Sequence, residues 1–282
     1  MKTTEILGVP VDAVTAPEAL AEIKDTLDSG RRLHVVTVNN EMIMRAQSDA
    51  RFRKVIAKAG LRVPDTAGVV WASDFNRRQA EKPVRGMPAY GRAFSGLVKL
   101  LLVPGRVQTV IPRNVPGADL VIDIAGMCEE FDYHLFLLGG GPGVAEATAE
   151  KLKTRFPQLH VVGAMPGSPE GALDEDARTI LTGSGAHVLL VAYGPPKQEM
   201  WIARNLPHLP APLVAVGVGG SFDYLAGTIS VEGGRPAKQP PGWVRRRGLE
   251  WLWRLGTQPS RWRRIVTALP AFVIKVVRQS YK

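Results

Sequence analysis

At 282 residues, with 45% hydrophobic and 22% charged side chains, the chain suits one large globular domain, alone or with an appendage. A single cysteine, Cys128, excludes an internal disulfide and any cysteine-cluster metal site. The net charge of +10 is concentrated in residues 243–282, where ten Lys/Arg stand against one acid, Glu250, so the first 242 residues carry only +1.

The opening residues lack the apolar core of a signal peptide, and no stretch approaches the roughly 20 apolar residues of a membrane span. The expected compartment is therefore the cytoplasm. In chain order, residues 5–14 read as a strand or hairpin around Gly8 and Pro10. Thr15, with Glu18 three residues on, forms a capping box for a helix to about residue 27. Residues 31–38 read as a strand ending in Thr37-Val38-Asn39-Asn40, and a period of two sends Thr37 and Asn39 to the same side. A helix is expected over 41–59, then a brief strand at 61–63. Pro64-Asp65-Thr66-Ala67-Gly68 leads into an apolar helix from Val69. Residues 77–116 read as an insertion, because five prolines break the rhythm. Its apolar run, 94–103, is too short for a bilayer and reads as a core-packed helix, with a membrane-touching or substrate-covering flap as the lesser alternative.

Regular alternation resumes with a helix near 120–131 and a strand at 134–138, which runs into Gly139-Gly140-Gly141-Pro142-Gly143 and a helix over 144–155. A strand at 159–163 and a helix at 173–182 follow. Residues 188–193 are apolar and β-rich, a buried strand stopped by Gly194-Pro195-Pro196. Lys197-Gln198-Glu199 then opens a helix whose first turn favours an anion. The last strand, 213–217, leads to Val218-Gly219-Gly220-Ser221-Phe222-Asp223. Six strands alternating with helices predict an α/β fold, a mostly parallel Rossmann-like sheet covered on both faces. In such sheets ligands bind beyond the carboxyl ends of the strands, where Thr37, Asn39, Asp65, the glycine turn, the Lys-Gln-Glu triplet and Asp223 all fall.

The glycine turn suits phosphate but does not spell the dinucleotide fingerprint, since Val144 stands where the last small residue belongs. That disfavours a dehydrogenase, and the absence of GxxxxGK[ST] excludes a P-loop NTPase. Asp174-Glu175-Asp176 reads as the acidic first turn of a helix rather than a metal motif. His34, His134, His160 and His187 stand at strand starts, away from the expected site and without ligand spacing, so no metal is expected. Asp65, after a strand and among apolar residues, suits a general base, an N-cap for the helix expected to start at Thr66, or both. The tail holds four of the six tryptophans, so a nucleic-acid-binding protein is the alternative class; the near-neutral body speaks against it.

TVNNEM (37–42), VPDTAG (63–68), GADL (117–120), FLLGGGPGVAE (136–146), YGPPKQEMWI (193–202), GVGGSFD with AG (217–227) and GLEWLWRLGTQPSRWRR (248–264) together resemble the WecG/TagA/CpsF glycosyltransferases of bacterial cell-surface polymer synthesis. The resemblance implies inverting, metal-independent transfer of an N-acetylmannosamine-like or related hexose from a UDP-sugar to a polyprenyl-diphosphate-linked saccharide, as in teichoic acid linkage-unit synthesis. It implies a catalytic domain over 1–242 and a membrane-reaching appendage over 243–282, peripheral on the inner membrane face. Matched by motif, Asp65 is the implied base, with Thr37 and Gln198 as its catalytic company. Asn39, Gly139, Gly140, Gly141, Tyr193, Lys197, Glu199 and Asp223 are implied around the donor. Arg113, Arg254, Arg261 and Arg264 are implied at the acceptor pyrophosphate. No cofactor and no nucleic acid are expected, an anionic membrane surface is, and a homo-oligomer stays open. Three features depart from the family pattern: Thr66 follows Asp65 where glycine is usual, residues 77–112 are longer, and 235–243 are loosened. On the membrane-appendage reading, a chain ending near residue 241 is expected to stay folded but not to bind vesicles.

Overall fold

The computed structural model describes residues 2–102, 110–227, 244 and 262–280. The chain begins with a hairpin, β1 (Thr3–Ile6) and β2 (Val9–Asp12), turned through Leu7 and Gly8 at φ of 53° and 73°. Asp12 is buried at its end and accepts from Thr3 Oγ1 at 2.7 Å and from Arg62 Nε and Nη2 at 3.0 Å each. That two-pronged pair pins the hairpin to the strand carrying Arg62. Helix α1 (Ala16–Asp28) starts as expected, with Glu18 accepting from Thr15 N–H at 2.8 Å and Thr15 Oγ1 at 2.7 Å.

Six parallel strands form the main sheet: β3 (Arg32–Val38), β4 (Leu61–Pro64), β5 (Leu135–Gly139), β6 (Val161–Met165), β7 (Val188–Ala192) and β8 (Leu213–Gly217), in the order β4-β3-β8-β7-β5-β6. Every residue of β5, β7 and β8 is buried, as central strands covered on both faces require. Edge strand β6 is half-buried throughout.

One face carries α1, α6 (Gly117–Glu130), α7 (Val144–Arg155) and the short α10 (Ser221–Ala226), through Ile23, Leu120, Ile124, Ala149 and Phe222. On the other, α8 (Asp174–Ser184) and α9 (Lys197–Asn205) cover Phe136, Leu189 and Val191 with Ala177, Leu181, Trp201 and Ile202. Beyond Val36 and Val38, a second apolar cluster gathers α2 (Asn40–Arg45), α3 (Ala50–Lys58), α4 (Ala67–Glu81), α5 (Met87–Leu102) and α11 (Trp262–Gln279). The chain leaves β5 toward one face and β7 toward the other. A crevice therefore opens between their carboxyl ends, the switch point of an α/β sheet.

Three expectations are corrected. The helix over 41–59 is two helices, because Asp49 accepts from Phe52 N–H at 2.9 Å and caps a new start. Helix α4 continues to Glu81, past residue 77, where the rhythm was expected to break. The next helix, α5, begins at Met87 rather than with the apolar run; it packs Ala89 and Ala93 inward, receives Trp71 Nε1–H on Ala93 O at 3.0 Å, and leaves Met87 and Phe94 exposed. Phe272, Val276 and Val277 of α11 are buried, with Phe272 edge-on to Trp71 at 6.3 Å. The last helix thus covers part of the body's own core, so removing everything past residue 241 would uncover it. Among the described residues no helix is long and apolar enough to cross a membrane.

Candidate active site

The exits of five parallel strands line one edge of the sheet. At the β4 exit, Asp65 N–H bonds Val38 O at 2.9 Å, fixing the turn beside β3. The helix that follows starts at Ala67, with Thr66 rather than Asp65 in the N-cap position. Asp65 Oδ1 accepts from Gly117 N–H at 2.8 Å, the first residue of α6, while Asn114 Nδ2 donates to Asp65 O at 3.3 Å. Val115 N–H bonds Pro64 O at 2.7 Å, so the segment 113–117 lies along this exit and exposed Arg113 stands beside it. A carboxylate held half-buried by a helix's first amide has a fixed direction, which proton abstraction needs.

Thr66 has a structural account. Its hydroxyl donates to Asn40 Oδ1 at 2.9 Å, and a side chain at Gly68 would meet Asn40 Nδ2 at 2.3 Å. The exits of β3 and β4 are thereby clasped. Thr37 is buried and donates to Gly217 O at 2.8 Å, joining β3 to β8. Asn39 accepts from Met42 N–H at 3.0 Å as the cap of α2.

Gln198 is the tie between the central exits. Its Oε1 accepts from Gly194 N–H at 3.0 Å and Gly219 N–H at 2.9 Å, one from each loop. Its Nε2 donates to Glu199 Oε1 at 2.7 Å. Glu199, expected beside the donor, is instead fully buried, and burial pushes its carboxyl up to about 7. A side chain at Gly217 would meet both of them, at 2.7 and 2.9 Å, so that exit must be glycine. Tyr193 packs against Trp201 at 6.0 Å with its hydroxyl close under Gly167, and burial raises that hydroxyl above its ordinary range. Lys197 is exposed at the start of α9.

At the β5 exit, Gly139 holds φ of 109°, and a side chain there would strike the Ala192 backbone at 2.8 Å. Gly140 N–H bonds Ala192 O at 3.0 Å, closing β5 against β7. Gly141 O accepts from Val144 N–H at 3.1 Å, the first turn of α7. Asp223 is half-buried in the first turn of α10, beside Gly220. Arg254 and Arg261 lie outside the described residues, and Arg264 falls in the first turn of α11. Asp174 is buried in an ion pair with Arg204, which holds its carboxyl below the usual range, in line with a helix-start role.

The residues that the sequence left unmarked here are Asn114, the Gly117 and Gly219 amides, and Ser221, whose hydroxyl bonds Val218 O at 2.7 Å. Gly117, Gly219 and Ser221 lie in motifs already noticed, GADL and GVGGSFD, but Gly117 and Gly219 find their partners, Asp65 and Gln198, 52 and 21 residues away.

Helices α6, α7 and α9 all start at this edge, so the positive ends of their dipoles face one region suited to a phosphorylated ligand. Fold and exits define a Rossmann-like α/β protein with a candidate site at the carboxyl edge of its parallel sheet. The chain belongs to the glycosyl transferase WecG/TagA/CpsF family, whose model matches residues 4–93 and 96–282, and it is a glycosyltransferase. It is 27% identical over 252 residues to an N-acetylglucosaminyldiphosphoundecaprenol N-acetyl-beta-D-mannosaminyltransferase of Bacillus spizizenii, covering 89% of this chain and 81% of the relative. A protein of the same name from Bacillus subtilis is 25% identical over 249 residues, covering 87% and 79%.

Proposed function

We propose that the chain moves N-acetylmannosamine, or a closely related hexose, from a UDP-sugar to an N-acetylglucosamine-diphospho-polyprenol. The observation that carries the mechanism is the Asp65 carboxylate, fixed at the β4 exit by the Gly117 amide on the edge where helices α6, α7 and α9 begin. The acceptor hydroxyl gives its proton to Asp65 as its oxygen bonds to the anomeric carbon. The bond from that carbon to the UDP oxygen breaks on the opposite face, so the linkage inverts. The departing diphosphate keeps the electron pair and is stabilised by helix-start amides and arginine, with no metal step. Arg113, and the tail arginines Arg254, Arg261 and Arg264, are assigned to the acceptor pyrophosphate. The names of the two Bacillus relatives support the sugar and the acceptor.

The test is a donor screen with a short-lipid diphospho-N-acetylglucosamine acceptor, read by mass spectrometry, with and without EDTA. The expected product is the acceptor plus one N-acetylhexosamine, formed from UDP-N-acetylmannosamine at an undiminished rate in EDTA. Product from no UDP-sugar would sink the donor assignment, and an absolute need for Mg²⁺ or Mn²⁺ would sink the metal-free step.

A further inference from the structure

The opposite edge of the sheet holds a second cluster of side chains. The order β7-β5-β6 makes neighbours of the residues just before each strand, which are His187, His134 and His160. Backbone bonds lock them side by side: Leu135 N–H to His160 O at 2.8 Å and His187 N–H to His134 O at 2.9 Å. The His134 ring centre lies 5.6 Å from that of His160 and 4.9 Å from that of His187. Asp132, in the turn before β5, completes the group.

The geometry points to a divalent transition-metal site built from Asp132, His134 and His160, with zinc as the ion whose chemistry it fits. Each of the three brings one ligand atom to within 4.8 Å of the other two. His160 Nε2 and Asp132 Oδ1 stand 3.4 Å apart. Two ligands about 2.0 Å from one tetrahedral zinc are separated by about 3.3 Å, so this pair is already spaced for an ion. His134 Nδ1 lies 3.2 Å from Gly185 O. A carbonyl only accepts, so Nδ1 carries the proton and the lone pair is on Nε2. Metal-binding histidines are commonly oriented by such a bond. His187 is committed elsewhere, since its Nδ1 accepts from His134 N–H at 2.9 Å, and it walls the cluster on one side. Two imidazoles and a carboxylate suit zinc, with the fourth position left to water.

This site is separate from the transfer chemistry. The strands between the two edges have five residues each, which at about 3.3 Å per residue separates them by more than about 13 Å. The ion would staple half-buried edge strand β6 to β5, whose pairing shifts register between Leu135 and Phe136. Its effect is on stability, because an ion bound only by the folded chain raises the melting temperature.

The experiment titrates Zn²⁺ alone into the tag-free full chain, with Co²⁺ as the spectroscopic probe of tetrahedral ligands. One equivalent should bind, giving tetrahedral cobalt absorption and a higher melting temperature. His160→Ala and Asp132→Ala, both at exposed positions, should weaken binding at least about tenfold and abolish the thermal shift. Asp65→Asn should bind zinc as the parent does. No saturable uptake, or equal affinity in His160→Ala, would overturn the site. Neither result bears on sugar transfer.

Discussion

Asp65 owes its direction to Gly117, 52 residues further along the chain. Sequence reading could place the carboxylate at a strand exit, because proline, a short apolar strand and a helix start are local signals. It could not see the amide that aims it. Asp65→Asn keeps an acceptor oxygen for Gly117 N–H but removes the base. Turnover should fall roughly 10²–10⁴-fold with UDP affinity intact, as measured by product formation and calorimetry. Near-parental turnover would reduce Asp65 to a cap for α6. Glu199 carries the opposite lesson: it looked like a ligand contact and is a fully buried support. Its carboxyl is raised from 4.5 to about 7, so between those values the folded state holds more proton than the unfolded one. Stability therefore falls as pH rises through that window, by an amount on the order of 3 kcal/mol at most. Glu199→Gln keeps the acceptor for Gln198 Nε2 and cannot ionise, so its denaturation midpoints should vary less from pH 5 to about 8. An unchanged slope would mean that another group sets it.

At the scale of elements, the strands were legible because buried parallel strands read as short apolar runs; all six are present, with half-buried β6 starting two residues later than expected, at Val161. Helix boundaries were less so. Periodicity ran through Asp49, and only the side-chain bond to Phe52 N–H shows that it restarts the helix. The glycine turn was legible as a turn, but its tightest constraint comes from β7. Gly139 and Gly143 both hold positive φ, at 109° and 76°. A side chain at Gly139 meets Ala192 backbone at 2.8 Å, whereas at Gly143 nothing lies within 4 Å. Gly139→Ala should therefore cost about 2–4 kcal/mol, strain and overpacking together. Gly143→Ala should cost only about 1–2 kcal/mol from its backbone. Urea titration compares the two. Equal losses would show that the β5–β7 approach yields easily and does not hold the crevice in shape.

Over the whole molecule the charge asymmetry is the feature to explain, with +9 of +10 within residues 243–282. Helix α11 ends that segment and contributes Phe272, Val276 and Val277 to the core. Burying three such side chains is worth about 5 kcal/mol or more, comparable with the stability of a whole domain. Truncation near residue 241 would therefore confuse lost binding with lost folding. Charge reversal avoids this, because Lys275 and Arg278 of α11 are exposed and can change without uncovering the core. Each basic side chain near an anionic leaflet contributes about 1 kcal/mol, and added salt screens it. The full chain should sediment with phosphatidylserine vesicles at low salt, release at high salt and ignore neutral vesicles. Lys275→Glu with Arg278→Glu should weaken binding roughly tenfold or more at unchanged melting temperature, and adding Arg245→Glu, Arg246→Glu and Arg247→Glu should abolish it. Transfer to a water-soluble acceptor should persist in the double variant while transfer to a vesicle-embedded acceptor falls. Vesicle binding that ignores both salt and these reversals would mean that the tail's charge does not read the membrane.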